Sequence, residues 1–129
     1  MSRAVLVVED DPSTLSGYVE YLTEAGFLAT GYADPSAALA VAFDTPPAAV
    51  VTDITMPGMD GFALAKALHQ DNRTRHVPVI GLTANWYAEV KTRAAAVAMR
   101  TVLLKPCSPA HLVAELERVL HPSTLRDRP

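Results

Sequence analysis

Four short apolar runs and a fifth strand-like segment, over residues 28–32, alternate with segments of helical pattern in this sequence of 129 residues. The first run, Ala4–Val8, is continuous, as expected for a strand that is buried on both faces. A strict alternation of strand and helix predicts a parallel sheet with helices packed on both of its faces. The predicted strands cover residues 4–8, 28–32, 49–52, 79–82 and 102–104.

Local signals predict where the helices begin and end. Pro12 opens the first helix, and Gly26 is a typical residue at a helix end. Asp34 caps a short alanine-rich helix that we expect to end near Ala42. The remaining helices are predicted over residues 61–70, over 86–98 and from Pro109 onward. We therefore expect a doubly wound, five-stranded parallel α/β sheet, (βα)5, in the flavodoxin-like strand order 2-1-3-4-5.

Length and composition predict one globular domain over residues 1–121 and a flexible tail over residues 122–129. Half of the residues are hydrophobic, which is enough for a core, and the net charge is -3. The basic residues are dispersed, so direct binding of nucleic acid is not expected. The single cysteine fits a reducing compartment, and no apolar run is long enough for a membrane span. These features predict a cytoplasmic protein.

Polar residues follow four of the five predicted strands. Glu9 and Asp10 end the first strand, Asp53 the third, Thr83 the fourth and Lys105 the fifth. Because the carboxyl ends of parallel strands open on one crevice, these side chains are expected to converge. Neighbouring carboxylates repel one another, and a hard cation with oxygen ligands, Mg²⁺ above all, relieves that repulsion. A carboxylate can also attack phosphorus, while an ammonium and a hydroxyl neutralise the transferred phosphoryl oxygens.

Four motifs in this order make the chain similar to a response-regulator receiver domain of two-component signalling, in the superfamily of CheY-like proteins. They are VVEDD at 7–11, TDITMPGMDG at 52–61, LTA at 82–84 and LKP at 104–106. Each alone has an ordinary explanation as a turn, a helix cap or a surface lysine. Together, at the ends of successive strands, they are specific.

The resemblance implies roles for individual residues. Asp53 would accept the phosphoryl group, Thr83 would supply the switch hydroxyl and Lys105 the phosphate-sensing cation. Glu9, Asp10, Asp53 and the backbone carbonyl of Thr55 would bind Mg²⁺, or Mn²⁺ in its place. The Lys105-Pro106 peptide bond would be cis. The donor would be a phosphohistidine on a histidine kinase or histidine phosphotransfer protein, and phosphorylation would switch the binding of an unidentified target. The domain would be a monomer or a phosphorylation-dependent dimer, and not a turnover enzyme.

The chain departs from the receiver pattern at three places. Val102 stands where receivers usually carry an aromatic residue, Ala98-Met99 where they carry Gly-Ala, and Cys107 where they carry Phe. Valine is short and stiff at χ1, so it cannot swing between two positions as a ring does. We expect the phosphoryl chemistry of a receiver and an atypical surface toward the target. Trp86 and Tyr87 could then report phosphorylation in place of the usual aromatic residue.

Other functions fit the residues less well. A phosphohydrolase of the haloacid dehalogenase type needs an acid two residues after its nucleophile, where this chain has Thr55. A flavodoxin-like cofactor protein needs a phosphate-binding loop after the first strand, where Glu9 and Asp10 would repel the anion. A degenerate receiver that binds partners without phosphorylation stays open as the alternative. A single-domain regulator, a phosphorelay shuttle and a domain of a larger protein are all compatible with the sequence.

Overall fold

A computed structural model describes residues 3–86 and 88–121 of the chain. Tyr87 and the predicted tail, residues 122–129, lie outside the described residues. Five strands alternate with five helices: β1 Ala4–Val8, α1 Pro12–Glu24, β2 Leu28–Tyr32, α2 Pro35–Asp44, β3 Ala49–Asp53, α3 Gly61–Gln70, β4 Val79–Thr83, α4 Ala88–Ala96, β5 Thr101–Leu104 and α5 Pro109–Leu120. All neighbouring strands are parallel, in the order β2-β1-β3-β4-β5, which confirms the predicted sheet.

Alternate residues of each buried strand face opposite sides of the sheet, and this divides the core in two. On one face, α1 and α5 cover Val5, Val7 and their neighbours with Leu22, Leu112 and other apolar side chains. On the other face, α2, α3 and α4 cover Leu6 and Val8. Because both faces are covered, every residue of β3 and β4 is buried. Within the described part of the chain, no helix has the length and hydrophobicity needed to cross a membrane.

Several predicted boundaries are wrong by a few residues. Helix α2 continues past Ala42 to Asp44, and α1 ends at Glu24 with Ala25 as its cap. Strands β3 and β4 each include one more residue, and β5 begins one residue earlier, at Thr101. The starts of four helices are fixed by the side chains of Asp11, Asp34, Asp60 and Ser108, which accept hydrogen bonds from the first turns.

The largest correction concerns α4, which is shorter than predicted at both ends. It runs over Ala88–Ala96 instead of residues 86–98. Ala98 has φ of 61°, in the left-handed region, and the backbone N–H of Met99 donates to the carbonyl of Ala94. This is a helix-terminating turn of the kind that glycine usually forms, which alanine adopts here at some cost in strain. The alanine-rich sequence favours a longer helix and gives no sign of the turn.

Candidate functional site

The acidic residues predicted from the sequence meet at the carboxyl edge of β1 and β3. Strands β1 and β3 are direct neighbours, with Val8 opposite Thr52, so Glu9 and Asp53 extend from adjacent strand ends. Carboxylate oxygens of Glu9, Asp10 and Asp53 lie within 4.8 Å of one another. Asp10 is exposed, whereas Glu9 and Asp53 are only 2% and 7% exposed. The group is therefore open to solvent on one side and closed on the other.

Lys105 reaches this group from the end of β5. Its Nζ lies 2.7 Å from Oε1 of Glu9 and 3.4 Å from Oδ2 of Asp53. The single ammonium therefore bridges the two buried carboxylates. The peptide bond between Lys105 and Pro106 is cis, as the family resemblance implies.

Burial and charge act on these groups in opposite directions. Burial raises the pKa of Asp53, and the neighbouring charge of Glu9 raises it further, while Lys105 lowers it in part. Burial disfavours the charged form of Lys105, but the hydrogen bond to Glu9 and the charge of Asp53 outweigh it and raise the pKa of the ammonium. The charged form of Asp53 thus carries a net cost, which a further cation would relieve.

The oxygen donors fit a hard divalent cation. Three carboxylates close to one another, two of them buried, form an arrangement that one ammonium compensates only in part. Mg²⁺ binds such carboxylates together with water and phosphate oxygens. The exposed position of Asp10 leaves a solvent-accessible side for those additional ligands.

Thr83 ends β4 with its side chain buried beside the site. Its hydroxyl donates to the carbonyl oxygen of Asn85 at 3.0 Å and accepts from the Asn85 backbone N–H at 3.2 Å. The hydroxyl is thus engaged with its own loop, and not with the carboxylates. Thr55, two residues beyond Asp53, is exposed, and both threonines line a cavity of about 260 Å³ between the β3–α3 loop and α4.

Gly61 allows the loop after Asp53 to close against the end of its strand. The Gly61 N–H donates to the carbonyl of Ile54 at 2.9 Å. A Cβ at this position would lie 2.6 Å from the carbonyl oxygen of Asp53 and 2.8 Å from Cα of Ile54. Only glycine fits such a close approach of backbone to backbone. The start of α3 and the position of Asp53 are therefore fixed together.

Arg93 fixes α4 beside the same loop. Its guanidinium lies 4.2 Å from the centre of the Phe62 ring and 3.8 Å from Oδ2 of Asp60, the cap of α3. These contacts were not expected from the sequence, because α4 and α3 are separated by β4. They connect the cavity beside Thr83 with the first turn of α3.

The arrangement agrees with a match to a known family. The sequence model of the response regulator receiver domain matches residues 5–117. The chain belongs to the response regulator receiver family. This receiver is 31% identical over 120 residues to the phosphate regulon transcriptional regulatory protein PhoB of Pseudomonas aeruginosa, which covers 93% of the chain and 52% of PhoB. The receiver thus spans about half the length of that relative.

Solved receivers share the fold closely. The chemotaxis protein CheY4 of Vibrio cholerae matches with a TM-score of 0.88 and 32% identity over 93% of this chain and 100% of CheY4. The receiver domain of sensor histidine kinase PA1611 of Pseudomonas aeruginosa matches with a TM-score of 0.83 and 28% identity over 93% of this chain and 98% of that domain. The PA1611 structure has a magnesium ion coordinated in its active-site cleft.

The structure thus brings together Glu9, Asp10, Asp53 and Lys105, and places Thr83 and Thr55 at the border of the group. Two features of the receiver site have no signal in the sequence. Lys105 contacts Glu9 more closely than Asp53, and the phenol of Tyr18 is hydrogen-bonded to the loop that carries Lys105. Tyr18 and Cys107 are 89 positions apart, so no local pattern could have indicated that they meet.

Proposed function

We propose that this receiver takes a phosphoryl group onto Asp53 from a phosphohistidine of a histidine kinase or histidine phosphotransfer protein. The observation that carries the proposal is the bridge that Lys105 forms between two buried carboxylates, within a group of three. A structural ion pair needs one carboxylate for one ammonium, and the surplus of negative charge at a cleft favours a site that binds a cation and an electrophile.

The chain's own residues supply most of the chemistry. An oxygen of Asp53 attacks the phosphorus, the bond from phosphorus to the histidine nitrogen breaks, and the leaving imidazole takes up a proton. Nζ of Lys105 lies 3.4 Å from Oδ2 of Asp53 and can move to contact the oxygens of the new phosphoryl group, where the negative charge then lies. The Thr83 hydroxyl can turn from Asn85 to donate to one of those oxygens.

Mg²⁺ would be held by the side chains of Glu9, Asp10 and Asp53 and the backbone carbonyl of Thr55, and Mn²⁺ could replace it. When bound, it would neutralise charge on the transferred group. Glu9, with one oxygen on Lys105 and the other accepting from the backbone N–H of Asp11, keeps the acidic group in place.

In this proposal the receiver is a cytoplasmic signalling module and not a turnover enzyme on an external substrate. Phosphorylation changes its affinity for a target protein, as a monomer or through a phosphorylation-dependent dimer. The Thr83–Asn85 contact is the natural first step of that change, because the phosphoryl group competes for the same hydroxyl.

Intact mass after incubation with phosphoramidate tests the proposal. We expect a single phosphoryl adduct on the wild type with Mg²⁺, and none with a chelator or in Asp53→Asn. The matched control is Asp34→Asn, because Asp34 caps α2 outside the acidic group and asparagine caps a helix equally well. A folded wild type that takes no phosphoryl group would contradict the proposal and favour the alternative, a receiver that binds its partner without phosphorylation.

A further inference from the structure

Tyr18 is a buried polar residue whose position the phosphoryl chemistry described above does not explain. It lies in the middle of α1 and is 6% exposed. Its hydroxyl donates to the backbone carbonyl of Cys107 at 3.0 Å. Burial raises the pKa of Tyr18, so the hydroxyl keeps the proton that it donates. Loss of this donor would cost the carbonyl a buried hydrogen bond.

The accepting carbonyl belongs to the short segment that carries Lys105. Lys105, Pro106 and Cys107 are consecutive, and they connect β5 to α5. The segment borders a depression of about 390 Å³ that Thr14, Tyr18 and Cys107 line with it. Because the Cys107 side chain is small, no bulky group of this segment fills the depression. The backbone N–H of Lys105 donates to the carbonyl of Thr83 at 2.7 Å, and the Tyr18 hydrogen bond restrains the following residues from the side of α1.

The contacts form a closed circuit between α1 and this segment. At the start of α1, the Asp11 N–H donates to Oε2 of Glu9 at 3.1 Å. The other oxygen of Glu9 accepts from Nζ of Lys105 at 2.7 Å. From Lys105 the chain leads to Cys107, whose carbonyl accepts from Tyr18 on the same helix. Contacts from the start and the middle of α1 thus reach Lys105, through its charge partner Glu9 and through the backbone of Cys107.

We propose that Tyr18 is a positioning residue, which sets the place of the Lys105 ammonium between Glu9 and Asp53 through its hydrogen bond to the carbonyl of Cys107. The role in phosphorylation rests on the proposed function, whereas the placement of Lys105 in the free protein does not. Without the bond, the segment can relax into the neighbouring depression and carry Lys105 away from Asp53.

Tyr18→Phe removes the hydroxyl and keeps the ring, and Tyr21→Phe is the matched control on an exposed face of the same helix. The chain has three lysines, Lys66, Lys91 and Lys105, so their ε-methylene signals are readily assigned by ¹H–¹³C NMR. In metal-free protein we expect Tyr18→Phe to shift the Lys105 signal and leave the other two unchanged. The rate of phosphoryl incorporation from phosphoramidate should fall roughly threefold to tenfold, the effect of one lost hydrogen bond. Tyr21→Phe should change neither.

A purely structural role predicts a different pattern: Tyr18→Phe would lower the urea midpoint and leave both the Lys105 signal and the rate of incorporation at wild-type values. That result would overturn the proposal. A second variant, Tyr18→Leu combined with Cys107→Phe, moves the ring from the helix to the segment and fills the depression without the hydrogen bond. If it restores both readouts, packing positions Lys105, and the proposal is wrong.

The two proposals fail separately. A wild type that takes no phosphoryl group, while Tyr18→Phe still shifts the Lys105 signal, contradicts the proposed function and supports the placement by Tyr18. Normal incorporation into both proteins, with an unchanged Lys105 signal, supports the proposed function and overturns the role of Tyr18.

Discussion

Two regions of this receiver differ in how tightly their residues constrain one another. The constrained side is the acidic group with Lys105 and the loop after Asp53. The tolerant side is the surface of α4 and β5. On the constrained side, Glu9 and Asp53 are buried and Lys105 is half-buried, and the ammonium of Lys105 contacts both carboxylates. On the side of α4 and β5, Leu104 is 55% exposed and Trp86 49% exposed. Val102 is only partly buried. Charged groups in a closed site need partners at fixed distances, whereas a half-exposed apolar surface tolerates many side chains.

This difference explains where the departures from the receiver pattern lie. Val102 and Ala98 are on the tolerant side, and neither contacts the acidic group. Cys107 is the exception, because it adjoins Lys105, and there the buried phenol of Tyr18 supplies the missing restraint. Charge pairing in the buried site therefore restricts the residues there, whereas the half-exposed apolar surface accepts other residues.

The largest effect should come from enlarging Gly61 on the constrained side. Gly61→Ala places a Cβ against the backbone of Asp53 and Ile54, which cannot move without disturbing β3. We expect a loss of about 3 kcal/mol in the free energy of unfolding, measured in urea. The control is Gly17→Ala inside α1, where nothing lies within 4 Å and alanine should stabilise the helix by about 0.5–1 kcal/mol. Equal effects of the two substitutions would contradict the comparison.

Removing one charge from the same side should stabilise the metal-free protein. Asp53→Asn ends the repulsion from Glu9 and the burial of a carboxylate, and should raise the free energy of unfolding by about 1–2 kcal/mol, since close charges near a protein surface interact by a few kcal/mol. The pKa of Asp53 is raised in the folded state, so the cost of its charge is present at neutral pH. It is lost as the pH falls through the folded pKa toward the unfolded one.

The advantage of Asp53→Asn should therefore shrink in acid. Urea unfolding at neutral and acidic pH, in a chelator, measures both quantities. A destabilised Asp53→Asn at neutral pH would show that Lys105 fully compensates the carboxylate.

On the tolerant side, relief of backbone strain should give a smaller gain. Ala98 has a left-handed backbone, which glycine adopts without penalty, so Ala98→Gly should stabilise the receiver by about 1 kcal/mol. The matched control is Ala96→Gly, at the last residue of α4, where the helical backbone disfavours glycine and a loss is expected. Thermal and urea unfolding of both variants check the signs. A loss in Ala98→Gly would contradict the strain argument.

The smallest expected effect is optical. Trp86 is the only tryptophan and follows Asn85, the residue that holds the Thr83 hydroxyl. If phosphorylation draws that hydroxyl away, the fluorescence of Trp86 should change modestly on incubation with phosphoramidate and Mg²⁺. Thr83→Val should take the phosphoryl group without that change. An unchanged signal in the phosphorylated wild type would mean that Trp86 does not report the switch, and that this side of the receiver responds elsewhere.

Much of this receiver could be predicted because its signals are local or follow from topology. The buried strands have continuous apolar runs, and parallel strands must bring Asp53 and Lys105 to the same edge. The strand order was predicted from the alternation of strands and helices, and the cis bond at Lys105 from the family resemblance; the structure confirms both. Pro12 predicted where α1 begins, and Asp34 predicted the start of α2.

The remaining features depend on contacts that a linear sequence does not contain. The left-handed turn at Ala98 follows from how β5 must be reached, and it overrides the helix preference of the alanines around it. Glu9 is buried, Asp10 is exposed, and Glu9 pairs with Lys105, 96 positions away. The bond from Tyr18 to Cys107 is likewise a product of packing between distant elements.

The buried thiol of Cys107 provides a chemical probe of local opening in this receiver. It is the only cysteine, 7% exposed, and burial raises its pKa, so a thiol reagent reacts with it slowly in the closed protein. Labelling then requires a local opening that exposes the thiol. The labelling rate, compared with and without phosphodonor, would measure how often the segment that carries Lys105 opens locally.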